Sequence, residues 1–87
     1  MPETTLTLQH QVGLHARPAA LFVQTAQRFK SDILISCCGR ESNAKSMLGV
    51  LGLGAGQGAE ITIKAEGEDA DEALTALQTL IADNFGE

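Results

Sequence analysis

Between Glu60 and Ile81 the spacing of apolar residues changes from every second position to every third or fourth. Glu60-Ile61-Thr62-Ile63-Lys64-Ala65-Glu66 alternates strictly, so Ile61, Ile63 and Ala65 are expected to point inward from a half-exposed strand. From Ala70 onward, Ala73, Leu74, Leu77, Leu80 and Ile81 trace one stripe of a helix, and Asp69 followed by Glu72 has the form of a capping box at its start. A strand wet on one face, followed at once by a helix with a single apolar stripe, calls for a layered fold in which the helix covers the sheet.

The rest of the chain fits that frame. Thr5-Leu6-Thr7-Leu8-Gln9 alternates as a short strand with Leu6 and Leu8 inward, and Gly13 interrupts it. From Ala16 to Phe29 the set Ala19, Phe22, Val23, Ala26 and Phe29 recurs at helical spacing. Pro18 falls in the first turn of that helix, where a missing amide donor costs nothing. Asp32 to Cys37 is β-branched and apolar, and Gly39 separates it from a second short strand, Arg40-Glu41-Ser42-Asn43. Ser46 to Leu51 makes a turn or two of helix, ended by a loop containing Gly52, Gly54, Gly56 and Gly58. The order is β, α, β, β, short α, β, α. It implies an α+β, open-faced two-layer sandwich: a four-stranded, mostly antiparallel sheet with three helices on one face. Residues 1–87 are expected to form one domain.

Composition narrows the function. The formal net charge is -5, and the six Lys and Arg residues are scattered between Arg17 and Lys64 with no basic run. Phosphate backbones and anionic bilayers are held by clustered cations, so neither nucleic acid nor a membrane surface is the expected partner. No stretch is apolar enough to span a bilayer, and the start lacks the pattern of a signal peptide, so a cytoplasmic location is expected. Cys37 and Cys38 are adjacent, without the intervening residues of a metal or redox pair, and are expected to be two reduced thiols. A protein partner fits best.

The chemically informative segment is Gly13-Leu14-His15-Ala16-Arg17-Pro18-Ala19-Ala20, which sets an imidazole just before a helix. A helix start offers outward amides and partial positive charge to an anion. Imidazole is a good nucleophile near neutral pH, and a phosphorylated ring nitrogen is a good leaving group, so His15 can accept phosphate and release it. Arg17 supplies a fixed cation. Read from this pattern alone, a phosphoryl acceptor and a plain helix cap both fit His15. His10 has no such context and is read as a surface residue. Ser46 is placed to cap the short helix, whose Met47, Leu48 and Leu51 are too many to bury. With Ala20 and Leu21 they are expected to form an apolar docking patch around His15.

Gly13-Leu14-His15-Ala16-Arg17-Pro18-Ala19 resembles the active-site signature of HPr, the histidine-containing phosphocarrier family of the bacterial phosphoenolpyruvate-dependent sugar phosphotransferase system. The resemblance continues through Asn43 to Leu51, through Gly58-Ala59-Glu60-Ile61-Thr62-Ile63, and into the last helix. It implies that His15 takes phosphate on Nδ1 from a phosphohistidine of Enzyme I and hands it to the IIA domains of sugar permeases. Arg17 then matches the family's active-site arginine, and no cofactor or resident metal is implied. Ser46 matches the serine that a bifunctional HPr kinase/phosphorylase modifies in some bacterial lineages, and Gly54 matches a glycine of a loop near the active site. On this reading the chain is a carrier rather than a stand-alone enzyme, and a monomer is expected. Val12, where many members carry a small polar residue, and the Cys37-Cys38 pair depart from the pattern.

Two other readings use the same residues. A nitrogen-branch carrier would employ the same histidine with different partners, although Lys45-Ser46-Met47 favours the sugar branch. A small-molecule or metal-binding α+β module would have Cys37-Cys38 as its only metal clue, and these lack the spacing of a metal loop. The alternating glycines are not followed by Lys-Ser or Lys-Thr, so they are a structural turn rather than a nucleotide-binding loop.

Overall fold

The computed structural model describes residues 2–9 and 13–86; His10 and Val12 lie outside the described residues. Four strands, β1 (Glu3–Thr7), β2 (Asp32–Cys37), β3 (Arg40–Asn43) and β4 (Glu60–Glu66), form one antiparallel sheet in the order β1-β4-β2-β3. The helices are α1 (Ala16–Ala26), α2 (Met47–Gly52) and α3 (Ala70–Ala82), and a 3-10 turn covers Asn84–Gly86. The architecture is the open-faced α+β sandwich that the order of elements implied.

Period-two alternation does the sorting. Ile33, Ile35, Ile61, Ile63 and Ala65 are buried against the helices, while on the open face the Thr5 and Thr62 hydroxyls pair at 3.1 Å between β1 and β4. Pro18, Ala19, Phe22, Val23 and Ala26 of α1 meet Ala70, Ala73, Leu74, Leu77 and Ile81 of α3 over this core. Side chains such as Phe22, Ile61 and Leu77 are fully enclosed, and each such burial is worth roughly 1.5–3 kcal/mol.

The structure shifts several boundaries. β1 runs from Glu3 to Thr7 rather than from Thr5 to Gln9, and Leu6 is only half-buried. Leu8 lies beyond the strand but is fully buried, its amide donating to Ala59 and its carbonyl accepting from Gly58. α1 stops at Ala26 instead of Phe29. Its last turn tightens into bonds from Arg28 N to Thr25 O and Phe29 N to Ala26 O. Beyond it the Asp69 carboxylate takes the amides of Lys30 and Ser31 and draws the chain into β2.

That anchoring also overturns the capping box. Asp69 occupies the N-cap of α3 but its side chain makes no cap hydrogen bond, because Lys30 N, Ser31 N and Ser31 Oγ all donate to it. These donors hold its carboxyl down at about 2, the Ser31 hydroxyl contributing most. Asp71 and Glu72 in the first turn supply the negative charge the helix start favours.

The two cysteines lie at the β2–β3 hairpin. β2 and β3 are joined by a two-residue turn, with Cys38 at φ 61° and Gly39 at φ 81°, flanked by the pair Cys37 and Arg40. This primed geometry requires positive φ at both positions. It brings the sulfurs of Cys37 and Cys38 into close contact.

Candidate functional site

The loop entering α1 is pinned before it reaches His15. Gly13 has φ 70°, and a β-carbon there would stand 2.4 Å from the Ala55 carbonyl oxygen. Leu14 donates its amide to the same oxygen at 2.9 Å and buries its side chain completely. On the far side Pro18 and Ala19 are buried in the first turn of α1. His15 is therefore held between two anchored pairs, half-exposed, with Ala16 and Arg17 exposed beside it.

His15 is the N-cap residue, with φ -130° and ψ 160°, yet its side chain makes no cap hydrogen bond. The plain-cap reading leaves that imbalance unexplained, since a capping side chain acts by accepting from the first-turn amides. Those amides have no intrahelical partner, and no acidic residue stands in the first turn to neutralise them. Ala16 follows at φ 52°, a left-handed conformation unusual for a residue with a β-carbon. The arrangement suits a nucleophile whose product is an anion: the imbalance in the free chain becomes a binding contribution once negative charge is added.

α2 lies beside this helix. Ser46 is its N-cap, and the hydroxyl accepts from Gly49 N at 3.1 Å, as the sequence suggested. Val50 is the buried residue of α2, and Leu51 packs half-buried on the core. Met47 is 36% exposed and Leu48 85% exposed. Ala20 and Leu21 on α1 are half-buried. Of the expected patch, Leu48 is thus the most open large side chain, while Leu21 and Leu51 are shared with the core.

Two hydrogen bonds tie the start of α2 to the end of α1: Gln27 Nε2 donates to Lys45 O at 3.1 Å, and Lys45 Nζ donates to Phe29 O at 2.7 Å. Ser46 consequently lies toward the opposite end from His15 of α1, an 11-residue helix roughly 16 Å long. α2 then leads toward the loop in which Ala55 backs Gly13. Sequence reasoning missed this latch, the Ala55 contact and the left-handed Ala16. Gly13 alone carried a signal, as a glycine beside a helix start. Lys45 and Gln27 read as ordinary surface residues, and nothing about alanine marks a positive φ.

A half-exposed histidine at a helix start is open to approach from outside the molecule. The family model for the PTS HPr component phosphorylation site matches residues 2–83. Among solved structures, HPr-C-His from Thermoanaerobacter tengcongensis is 48% identical, with a TM-score of 0.98 over 100% of this chain and 98% of that one. The phosphocarrier protein HPr from Bacillus anthracis is 48% identical, with a TM-score of 0.88 over 92% and 95% of the two chains. Crh of Bacillus subtilis, described as a dimer with a swapped domain, is 42% identical, with a TM-score of 0.75 over 97% of each. The chain belongs to the HPr family of phosphocarrier proteins of the phosphotransferase system.

Proposed function

We propose that this chain carries phosphate in the phosphoenolpyruvate-dependent sugar phosphotransferase system, receiving it on Nδ1 of His15 from phospho-Enzyme I and passing it to IIA domains of sugar permeases. The observation that carries this reading is the imidazole at the N-cap of α1 without a cap hydrogen bond, fixed between buried Leu14 and buried Pro18. In the forward step the His15 nitrogen forms a bond to phosphorus as the nitrogen–phosphorus bond in Enzyme I breaks. In the next step a IIA nucleophile displaces His15 in the same way. Arg17 and the first-turn amides balance the charge of the transferred group. The chain acts as a cytoplasmic relay rather than a stand-alone enzyme, and His15 and Arg17 lie on one helix start, so a monomer suffices.

Docking is assigned to the face built from Ala20, Leu21, Met47, Leu48 and Leu51. Regulation is assigned to Ser46, where an HPr kinase/phosphorylase would place a phosphate on the α2 N-cap. Its oxygens can take the donor that the hydroxyl now takes from Gly49 N, so α2 stays folded.

Incubation with Enzyme I, phosphoenolpyruvate and Mg²⁺ should give one acid-labile phosphate on the chain and none on a His15→Ala variant. Labelling that persists without His15 would remove the assignment. An HPr kinase with ATP should give an acid-stable phosphate that Ser46→Ala lacks.

A further inference from the structure

A second serine stands beside the N-cap of α2. Ser42 of β3 pairs with Ile35 across the hairpin, and Ile35 is buried against the helices, so Ser42 faces the same way, toward α2. The strand and the helix meet at Gly49. A β-carbon there would stand 3.1 Å from Ser42 Cβ, 3.4 Å from Ser42 Oγ and 3.3 Å from Ser46 Oγ. Glycine is a poor helix former, and close packing on β3 is a physical reason for it at this position. Both hydroxyls border the space that Gly49 leaves by having no side chain.

The two hydroxyls are used differently. Ser46 Oγ accepts from Gly49 N at 3.1 Å, whereas half-exposed Ser42 makes no side-chain hydrogen bond among the described residues. It is a donor without a partner. The nearest cations are engaged elsewhere: Lys45 Nζ donates to Phe29 O at 2.7 Å, and Arg40 Nη1 donates to Gly52 O at 2.9 Å, at the far end of α2.

We propose that Ser42 is a positioning residue for a phosphate on Ser46, its hydroxyl donating to one phosphate oxygen while Gly49 N donates to another. The proposal rests on the assignment of Ser46 as the regulatory site. A phosphate oxygen turned toward Gly49 N is turned into the space that Ser42 borders. A hydroxyl bond to an anion is short, about 2.5–2.7 Å, and it favours the more highly charged form of the acceptor. Phosphoserine loses its second proton near pH 6, so the bond to Ser42 keeps the group doubly charged to lower pH. The result is a full dianion, held in one orientation, on the helix that presents Leu48.

The test uses the full chain with phosphoserine incorporated at position 46 during translation, so that no kinase is needed, and follows the ³¹P resonance against pH. Ser42→Ala should raise the titration midpoint by about 0.5 pH unit relative to the parent, and Ser42→Cys, whose thiol donates weakly, by less. Without the phosphate, Ser42→Ala should leave the Gly49 amide resonance and the thermal midpoint close to those of the parent, because the hydroxyl then bonds to nothing. Equal ³¹P midpoints in the parent and Ser42→Ala would overturn the proposal. A midpoint that moves with Lys45→Gln but not with Ser42→Ala would overturn it in favour of Lys45 as the holder of the phosphate. Failure of an HPr kinase to label Ser46 would remove the regulatory assignment without altering this titration, so the two failures are separately visible.

Discussion

Gly13 backs onto Ala55 at a distance that leaves no room for a side chain, a β-carbon there meeting the Ala55 carbonyl oxygen at 2.4 Å and the Gly56 α-carbon at 2.6 Å. The atoms met are all backbone, so no side-chain rotation relieves the clash, and φ 70° is itself unfavourable for alanine. Gly13→Ala is expected to cost about 3 kcal/mol in urea denaturation and to slow phosphorylation of His15 by displacing the loop. An unchanged unfolding midpoint would contradict the contact.

Ala16 presents the opposite case. Its left-handed φ of 52° carries a penalty of about 1–2 kcal/mol that glycine lacks, against a loss of about 0.5–1 kcal/mol in unfolded-chain entropy. Ala16→Gly should therefore raise stability by about 0.5 kcal/mol, read as a higher thermal midpoint.

Asp69 makes stability depend on acid. Its carboxyl titrates at about 2 when folded against an ordinary value of 3.8, because Ser31 Oγ and the amides of Lys30 and Ser31 donate to the charged form. A group with a depressed folded pKa contributes stability above its unfolded pKa and loses it as pH falls through the folded one. The urea midpoint should decline between about pH 4 and pH 2, and Asp69→Asn should flatten that part of the profile. A variant with the same acid slope as the parent would assign the decline to other carboxylates.

Ser46 separates capping from charge. Ser46→Ala removes the acceptor for Gly49 N and should cost about 1 kcal/mol, whereas Ser46→Asp preserves a capping oxygen and should leave stability within about 0.5 kcal/mol. If the hydroxyl caps nothing in solution, the two variants will unfold together.

Leu48, at 85% exposed, has little folded-state packing to lose. Leu48→Asp should shift stability by no more than about 0.5 kcal/mol while lowering the Enzyme I phosphorylation rate about tenfold, as for a docking anchor of about 1.4 kcal/mol. A normal rate would move the docking surface elsewhere.

The order of elements was legible because strict alternation at 60–66 and a helical stripe at 70–81 leave few packings open. The ends of elements were not, since they depend on partners distant in sequence. Asp69 has the local pattern of a capping box, but donors at Lys30 and Ser31 claimed its carboxylate. His15 stood out through residue type and its place before Pro18, and the structure adds what spacing cannot show, an imidazole that does not cap. The distance from Ser46 to His15 follows from a latch between Gln27 and Lys45 that has no signature in either residue. The positive φ of Cys38 in the primed turn has no signature in a cysteine.

The sheet order has a consequence for how the chain is made. Among the described strands β1 pairs only with β4, with Glu3 opposite Lys64 and Thr7 opposite Glu60. β1 therefore waits for a neighbour synthesised some 50 residues later, while β2 and β3 close across a two-residue turn almost as soon as they appear. Hairpins of that kind form in microseconds, and pairings between distant segments are slower. The strand that precedes the His15 loop is thus paired only after β4 has been made.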